Sequence, residues 1–168
     1  MPANKIVAFC LGLSVSFSAS ADRYNAGTEE SVNMFRVSFA DTLTPIDAQR
    51  ISRRAAALVN EQGRTRALSR FSKLDGGFLE KDGFVFCMTL AGVVVSHPVR
   101  PQLVGRNLLD HRRYGQYLFQ DMVRVAKNTG EGWVEYNWPY PGTSKLRPKM
   151  SYVVRNKEGF LCSVAAFK

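Results

Sequence analysis

An aromatic segment at 130–154 constrains the fold more than any other part of the chain, because it has the pattern of two antiparallel strands and a turn. In its first arm, Val134, Tyr136 and Trp138 occupy alternate positions, which places their side chains on one face of an extended strand. The second arm, 149–156, is rich in β-branched and aromatic residues. Pro139, Pro141 and Gly142 stop the first strand and favour a loop. The segment therefore predicts a hairpin with an aromatic face and a cationic rim.

The rest of the chain alternates between a helical period and a strand period. Thr44 followed by Pro45 and Asp47 predicts the capped start of a helix, and Gly63 is a suitable stop. Predicted helices cover 28–39, 45–62, 67–71 and 117–127, and predicted strands cover 84–90, 93–97, 133–138, 149–156 and 160–167. The stretch 98–115 contains two prolines and two glycines, which predict a loop. An irregular connection of this length is uncommon in a compact domain unless it has a function, so we expect a functional loop.

The order of these elements indicates the fold class. Neighbouring strands are joined by hairpin-sized connections, whereas a doubly wound parallel sheet needs long crossovers. The helices are segregated from the strands. We predict an α+β domain with an antiparallel sheet of about five strands.

The N-terminus has the pattern of a secretory signal peptide. Lys5 is followed by an apolar run at 6–17 and by Ala-Ser-Ala at 19–21, a small-residue cleavage pattern. The run is too short for a membrane span, and no later stretch is long and apolar enough for one. We expect a signal peptide at 1–21, a helical leader at 22–44 and a binding domain at 45–168. The mature protein is predicted to be periplasmic or secreted.

Export affects how the two remaining cysteines are interpreted. Cys87 and Cys162 each lie in a predicted strand, and an oxidising compartment permits a disulfide between them. Two cysteines make no spacing pattern, however, and a buried free thiol packs as a small hydrophobic side chain. The sequence favours two buried thiols without deciding against the bridge.

The formal net charge of +9 favours an acidic partner, whether a nucleic acid, an anionic membrane surface or a carboxylate ligand. Seven cations and two anions fall within 45–73, but this stretch has no groups for reading or stacking on bases. We therefore interpret it as the solvated face of an amphipathic helix and expect no nucleic acid.

Catalytic chemistry is not expected. His97 and His111 are not spaced with other ligands for a zinc motif, and neither a nucleophile elbow nor a glycine-rich phosphate loop is present. We predict no enzyme activity, no cofactor and no metal.

Several motifs in a fixed order carry a family resemblance. They are His97-Pro98, Pro101, Gly105-x-Asn107-Leu108, Gly132-Trp133-Val134 with Tyr136, Trp138 and Pro141, and Lys149 with Ser151-Tyr152-Val153. Over 47–168 the sequence resembles the single Cache domain family, of the type 2 common in bacterial exported sensors. The resemblance implies a PAS-like fold, in which a long N-terminal helix lies behind a five-stranded antiparallel sheet and a loop or short helix covers the ligand face. Residues 110–116 depart from the family pattern because they are unusually basic.

The resemblance implies a small-ligand pocket on the sheet, and the two-residue period indicates which side chains would line it. Tyr136 and Trp138 share a face, and Lys149 would neutralise a carboxylate. The predicted ligand-binding residues are His97, Arg106, Tyr117, Tyr136, Trp138, Lys149 and Tyr152. Trp133, on the opposite face from Tyr136, is expected to pack against the N-terminal helix.

We predict an exported small-molecule-binding Cache domain that senses a small organic acid, an amino acid or a similar metabolite, or presents it to a signalling system, with a membrane receptor as its partner. We recognise no transmembrane, kinase or methyl-accepting segment after the domain, which favours a free-standing binding protein. The alternative is a basic module that binds a polyanion or another protein and has no small-molecule ligand.

Overall fold

The computed structural model of the chain describes residues 42–168. In chain order the elements are α1 (Pro45–Gln62), α2 (Arg64–Phe71), β1 (Leu79–Glu80), β2 (Gly83–Phe84), β3 (Phe86–Thr89), β4 (Val94–Ser96), a 3-10 helix (Pro101–Leu103), α3 (Leu118–Asn128), β5 (Glu131–Pro139), β6 (Leu146–Arg155) and β7 (Phe160–Phe167). The predicted signal peptide at 1–21 and the predicted leader helix at 28–39 lie outside the described residues.

Five strands form one antiparallel sheet in the order β4-β3-β7-β6-β5. The predicted α+β class and the five-stranded antiparallel sheet are confirmed, and the predicted hairpin at 130–154 corresponds to β5 and β6. The strand predicted at 84–90 is only partly correct, because β1 and β2 form a separate two-stranded sheet and only β3 joins the main one. Strands of two residues are too short to show an alternating pattern in a sequence.

Helix α1 begins where the sequence predicts it. The Thr44 hydroxyl accepts a hydrogen bond from the Asp47 amide at 3.2 Å, and the Asp47 carboxylate accepts one from the Thr44 amide, which completes a capping box. The helix ends at Gly63, whose φ of 77° favours a residue without a side chain. The buried Ser52 hydroxyl accepts a hydrogen bond from the Val164 amide at 2.9 Å, which ties α1 to β7.

Both faces of the sheet are covered by helices, so the domain has two cores. We call the side under α1 and α2 the α1 face, and its buried residues include Ile51, Val59, Phe71, Phe160 and Val164. We call the opposite side the α3 face, and its buried residues include Met88, Val94, Met122, Val153 and Leu161.

Cys87 and Cys162 form a disulfide, so of the two alternatives that the sequence allows, the less favoured one is correct. The two residues are direct partners across β3 and β7, and both are fully buried on the α1 face. Strand register brings them together although 75 residues separate them in sequence. Spacing along the chain therefore gives no indication of the bridge.

The long loop after β4 is held near its middle by the Gly-x-Asn-Leu motif at 105–108. The backbone of Gly105 and Arg106 exchanges hydrogen bonds with Val94, each at 2.9 Å. The Asn107 side chain donates to the Ala91 carbonyl at 2.9 Å, which holds the motif against the turn between β3 and β4. The residues that follow then cross the α3 face before α3 begins.

Candidate functional site

The register of β5 and β6 determines which aromatic residues share a face. Tyr136 is the direct partner of Lys149, and Trp133 is the direct partner of Tyr152. Direct partners in an antiparallel pair point to the same side of the sheet. Tyr136 and Trp138 pack against the core under α3, whereas Trp133 and Tyr152 pack under α1. The candidate site is therefore the α3 face around Tyr136 and Lys149.

A pair of hydroxyl groups lies at the centre of this site. The Tyr136 hydroxyl is 3.0 Å from the Ser151 hydroxyl on the neighbouring strand, and Ser151 is 2% exposed. Burial raises the pKa of Tyr136 to about 12, so the phenol is protonated at neutral pH. The pair uses one hydrogen bond internally and retains donor and acceptor capacity for a ligand.

Lys149, the direct strand partner of Tyr136, supplies a positive charge on the same face. Its Nζ lies 4.2 Å from the centroid of the Phe167 ring. Burial lowers the pKa of Lys149 to about 8, and attraction to Asp82 opposes this shift only in part. The amine is still charged at pH 7, and its lost hydration favours an anion next to it.

Trp138 and residues of the preceding loop close the outer end of the site. The Trp138 ring meets Tyr136 edge-on, with 5.9 Å between ring centroids, and meets Tyr114 edge-on at 5.8 Å. The Arg113 guanidinium lies 5.9 Å from the Trp138 ring centroid. A second cation and a second aromatic residue thus cover the face that holds Lys149.

A tight turn fixes the position of this loop. Arg113 and Gln116 exchange backbone hydrogen bonds at 2.9 Å. The Gln116 side chain donates to the Glu135 carbonyl of β5 and to the Asp121 carboxylate of α3, each at 2.9 Å. The loop is therefore tied to both the edge strand and the helix that flank the site.

His97 also lies on the α3 face, with its ring centroid 4.9 Å from that of Phe84 and 5.8 Å from that of Phe86. Its Nδ1 accepts a hydrogen bond from the Arg100 amide at 3.0 Å. Burial, with a smaller contribution from the Arg100 charge, lowers the pKa of His97 to about 4. At neutral pH the imidazole is uncharged, so it can donate a hydrogen bond through Nε2 but cannot act as a cation.

Tyr152 lies on the α1 face, so the prediction that it lines one pocket with Tyr136 and Trp138 is wrong about the face. Its hydroxyl accepts a hydrogen bond from Arg53 at 3.0 Å, and its ring meets Trp133 edge-on at 4.8 Å. The two-residue period of a strand shows which of its own residues share a face. Only the pairing register between two strands shows which residues of one strand share a face with given residues of the other. The prediction that Trp133 packs against the N-terminal helix is confirmed.

Two further predicted residues lie outside the cluster. Arg106 is an exposed residue near the middle of the loop. Tyr117 precedes α3 with 43% of its surface exposed, and its ring centroid is 5.9 Å from the Arg112 guanidinium. Of the seven predicted residues, the structure places four on the α3 face: His97, Tyr136, Trp138 and Lys149.

Several residues of the site are not among the predicted ones. Ser151 had a usable signal, because it is two positions from Lys149 and must share its face. Arg113 and Tyr114 lie in the segment whose basic character the sequence shows. Their position over Trp138 depends on tertiary hydrogen bonds that no local pattern predicts.

Two surface depressions on the other side of the sheet are weaker candidates. One, of about 290 Å³, is lined by α1, α2 and Phe78, and the other is lined by residues within 61–70. Their polar lining residues are all exposed, so water competes there for any bound anion. Among residues 42–168, no group of three or more histidine, cysteine, aspartate or glutamate side chains is arranged to hold a metal ion. Over the same range, no helix has the length and apolar character needed to cross a membrane.

A five-stranded antiparallel sheet with helices on both sides, and with polar groups gathered under a loop on one face, defines a PAS-like α+β domain. The sequence profile of the Cache domain family matches residues 59–159, which is more than half of the chain. The chain belongs to the Cache domain family, and the resemblance carried by its motifs is confirmed.

Similar proteins are chemotaxis receptors and their sensor domains. The methyl-accepting chemotaxis protein McpP of Pseudomonas putida is 32% identical over 75 residues, which are 44% of this chain and 14% of that receptor, so the match spans a small part of the receptor's length. The periplasmic sensor domain of a chemotaxis protein has the same fold, with a TM-score of 0.55 and 24% identity over 83% of this chain and 93% of that one. So does a Cache chemosensory domain that recognises carboxylic acid, with a TM-score of 0.54 and 23% identity over 89% of this chain and 99% of that one.

Proposed function

We propose that this chain is a sensor domain that binds a small carboxylate on the α3 face and reports its presence to a signalling partner. The observation that carries the proposal is that Lys149, whose amine is largely buried, lies directly opposite Tyr136 on the α3 face, where the Tyr136 hydroxyl pairs with that of Ser151. Membership of the Cache family and the similarity to chemotaxis sensor domains support the sensory role. One domain of the same fold recognises carboxylic acid, which agrees with the charge of this site.

The geometry suggests how the ligand is held. One carboxylate oxygen pairs with the Lys149 ammonium, and the other accepts a hydrogen bond from the Tyr136–Ser151 hydroxyl pair. The rings of Trp138 and Phe167 contact the apolar body of the ligand. Because Met88 and Val153 already fill the middle of the face, the ligand must be small.

Binding without catalysis fits the same groups. A phenol whose pKa is about 12 is a poor acid at neutral pH, and an imidazole whose pKa is about 4 is a poor base. Neither Tyr136 nor His97 is therefore tuned for proton transfer.

We further propose that the protein works in the periplasm or outside the cell, after removal of residues 1–21. The buried Cys87–Cys162 disulfide supports this location, because such bonds persist in oxidising compartments. A membrane receptor is the proposed partner, by analogy with the chemotaxis receptors that are similar to this chain.

A thermal-shift screen tests the ligand class. The purified protein is heated with monocarboxylates, dicarboxylates, amino acids and purines, and a ligand that binds only the folded state raises the melting temperature. We expect stabilisation by carboxylates in the wild type and in Lys127→Met, which removes an exposed lysine of α3, but not in Lys149→Met. Equal stabilisation of all three proteins, or stabilisation by none of these compounds, would rule out the proposed site.

A further inference from the structure

Arginine and aromatic side chains form pairs along the loop before α3 and the hairpin of β5 and β6. Six residues form this arginine–aromatic row: Tyr117, Arg112, Arg113, Trp138, Arg147 and Tyr140. Each arginine is placed over one ring, with 5.9 Å from Arg112 to Tyr117, 5.9 Å from Arg113 to Trp138 and 4.9 Å from Arg147 to Tyr140, measured from the guanidinium carbon to the ring centroid. The row borders the proposed carboxylate site and shares Arg113 and Trp138 with it.

The three pairs form one continuous surface. Arg112 and Arg113 are neighbours in the chain, and Trp138 and Arg147 are direct partners across β5 and β6. Arg112, Tyr117 and Arg147 are exposed. The row therefore extends from the loop, across the end of the sheet, to the tip of the hairpin.

The surroundings of the row are strongly cationic. Segments 110–117 and 140–149 together contain five arginine and lysine residues and one carboxylate, Asp110. Two carboxylates of neighbouring elements have partners of their own, since Glu135 pairs with Lys168 at 2.6 Å and Asp121 accepts a hydrogen bond from Gln116. The positive charge of this surface is thus not balanced by the segments that form it.

We propose that the arginine–aromatic row is a docking surface for an acidic segment of another protein. Tyrosine, tryptophan and arginine are the residues that protein interfaces favour, especially at their most important contacts. Arg112 and Arg147 are exposed and already stacked on a ring, so they lose little freedom when they bind a carboxylate with their outer N–H groups. A surface that is both positioned and cationic therefore suits glutamate and aspartate side chains.

A protein fits this surface better than a nucleic acid does. Single-stranded nucleic acids bind by stacking their bases on open aromatic faces. In the row, a guanidinium group already covers one face of each of Tyr117, Trp138 and Tyr140. Carboxylates need the arginine edges and leave the rings undisturbed.

Fluorescence anisotropy with a labelled peptide of alternating glutamate and aspartate tests this proposal. The comparison probes are a peptide of alternating glutamine and asparagine and a single-stranded oligothymidine. The test variant is Arg112→Glu with Arg147→Glu. Its matched control is Arg66→Glu with Lys127→Glu, which changes the net charge equally at exposed positions of α2 and α3. Melting curves establish that each protein is folded, and Arg112→Gln with Arg147→Gln replaces the test variant if it is not.

We expect the acidic peptide to bind the wild type and the control, to bind the test variant roughly tenfold more weakly, and to lose affinity as salt is added. Equal weakening in the control would mean that only overall charge matters, and would overturn the proposal. Tighter binding of oligothymidine that is lost in the test variant would assign the row to nucleic acid instead. Failure of the wild type to bind the acidic peptide would also overturn the proposal of a docking surface for an acidic segment.

Discussion

Replacing Lys149 by methionine is expected to stabilise the ligand-free protein at neutral pH, although it removes the proposed ligand contact. Methionine retains most of the apolar stem and removes the ammonium. Burial lowers the pKa of Lys149 from 10.5 to about 8. Since one pKa unit corresponds to ~1.4 kcal/mol, keeping this charge in the folded protein costs roughly 3 kcal/mol. After allowance for the partial exposure of the side chain, we expect Lys149→Met to raise the free energy of unfolding by about 2 kcal/mol.

The pH dependence separates this cause from improved packing. The amine loses its proton near pH 8 in the folded protein and near pH 10.5 in the unfolded chain. Between these values the unfolded chain binds more protons, so the wild type becomes more stable as the pH rises. The advantage of Lys149→Met should therefore be constant below pH 8 and decline towards zero at pH 10.5.

Urea unfolding followed by tryptophan fluorescence over this pH range measures both proteins. The exposed Lys127→Met variant is the control, and its free energy of unfolding should change by less than ~0.5 kcal/mol. Destabilisation by Lys149→Met, or a gain that persists at high pH, would show that the buried ammonium does not oppose folding.

Three other changes test the remaining features. The wild type should lose stability as the pH falls from 6.5 through about 4, because the buried His97 imidazole resists protonation, and His97→Asn should remove this loss. Melting curves over this pH range measure the stability of both proteins. An equal loss in the variant would contradict the prediction. Alanine at both Cys87 and Cys162 should lower the free energy of unfolding by about 4 kcal/mol, because the bridge restricts a long stretch of unfolded chain; a loss below ~1 kcal/mol in urea would disprove that estimate. Tyr136→Phe should weaken carboxylate binding roughly tenfold, because it removes a hydroxyl of the α3 face. Tyr152→Phe removes a hydroxyl of the α1 face and should change the affinity by less than about twofold. Similar losses of affinity in both variants, measured by calorimetric titration, would refute the assignment of the faces.

The elements that the sequence predicts correctly are those long enough to repeat their period. Helix α1 spans five turns and has a capping box, and β5 and β6 are nine and ten residues long. Strands β1 and β2 have two residues each and cannot show a period. Local pattern therefore predicts the sheet and its main helices but not the small hairpin beside them.

The site was predictable only as far as it depends on a single strand. Tyr136 and Trp138 share a face because they are two residues apart, and this holds whatever the neighbouring strand does. The face of Tyr152 depends on its pairing with Trp133, and a slip of one residue would reverse it. The disulfide depends on register in the same way, through β3 and β7. Positions set by tertiary contacts, such as that of Arg113, have no signal in the local sequence.

Pairing of the Lys149 ammonium with a carboxylate is tested most directly by calorimetric titration in buffers of different ionisation enthalpy. The titration uses a carboxylate that raises the melting temperature of the wild type, at a pH just above the Lys149 pKa of about 8. A carboxylate beside the amine raises its pKa, so we predict that the wild type takes up a fraction of a proton on binding and that Lys149→Met does not bind. Binding without proton uptake, or unchanged affinity in Lys149→Met, would contradict a carboxylate site built around Lys149.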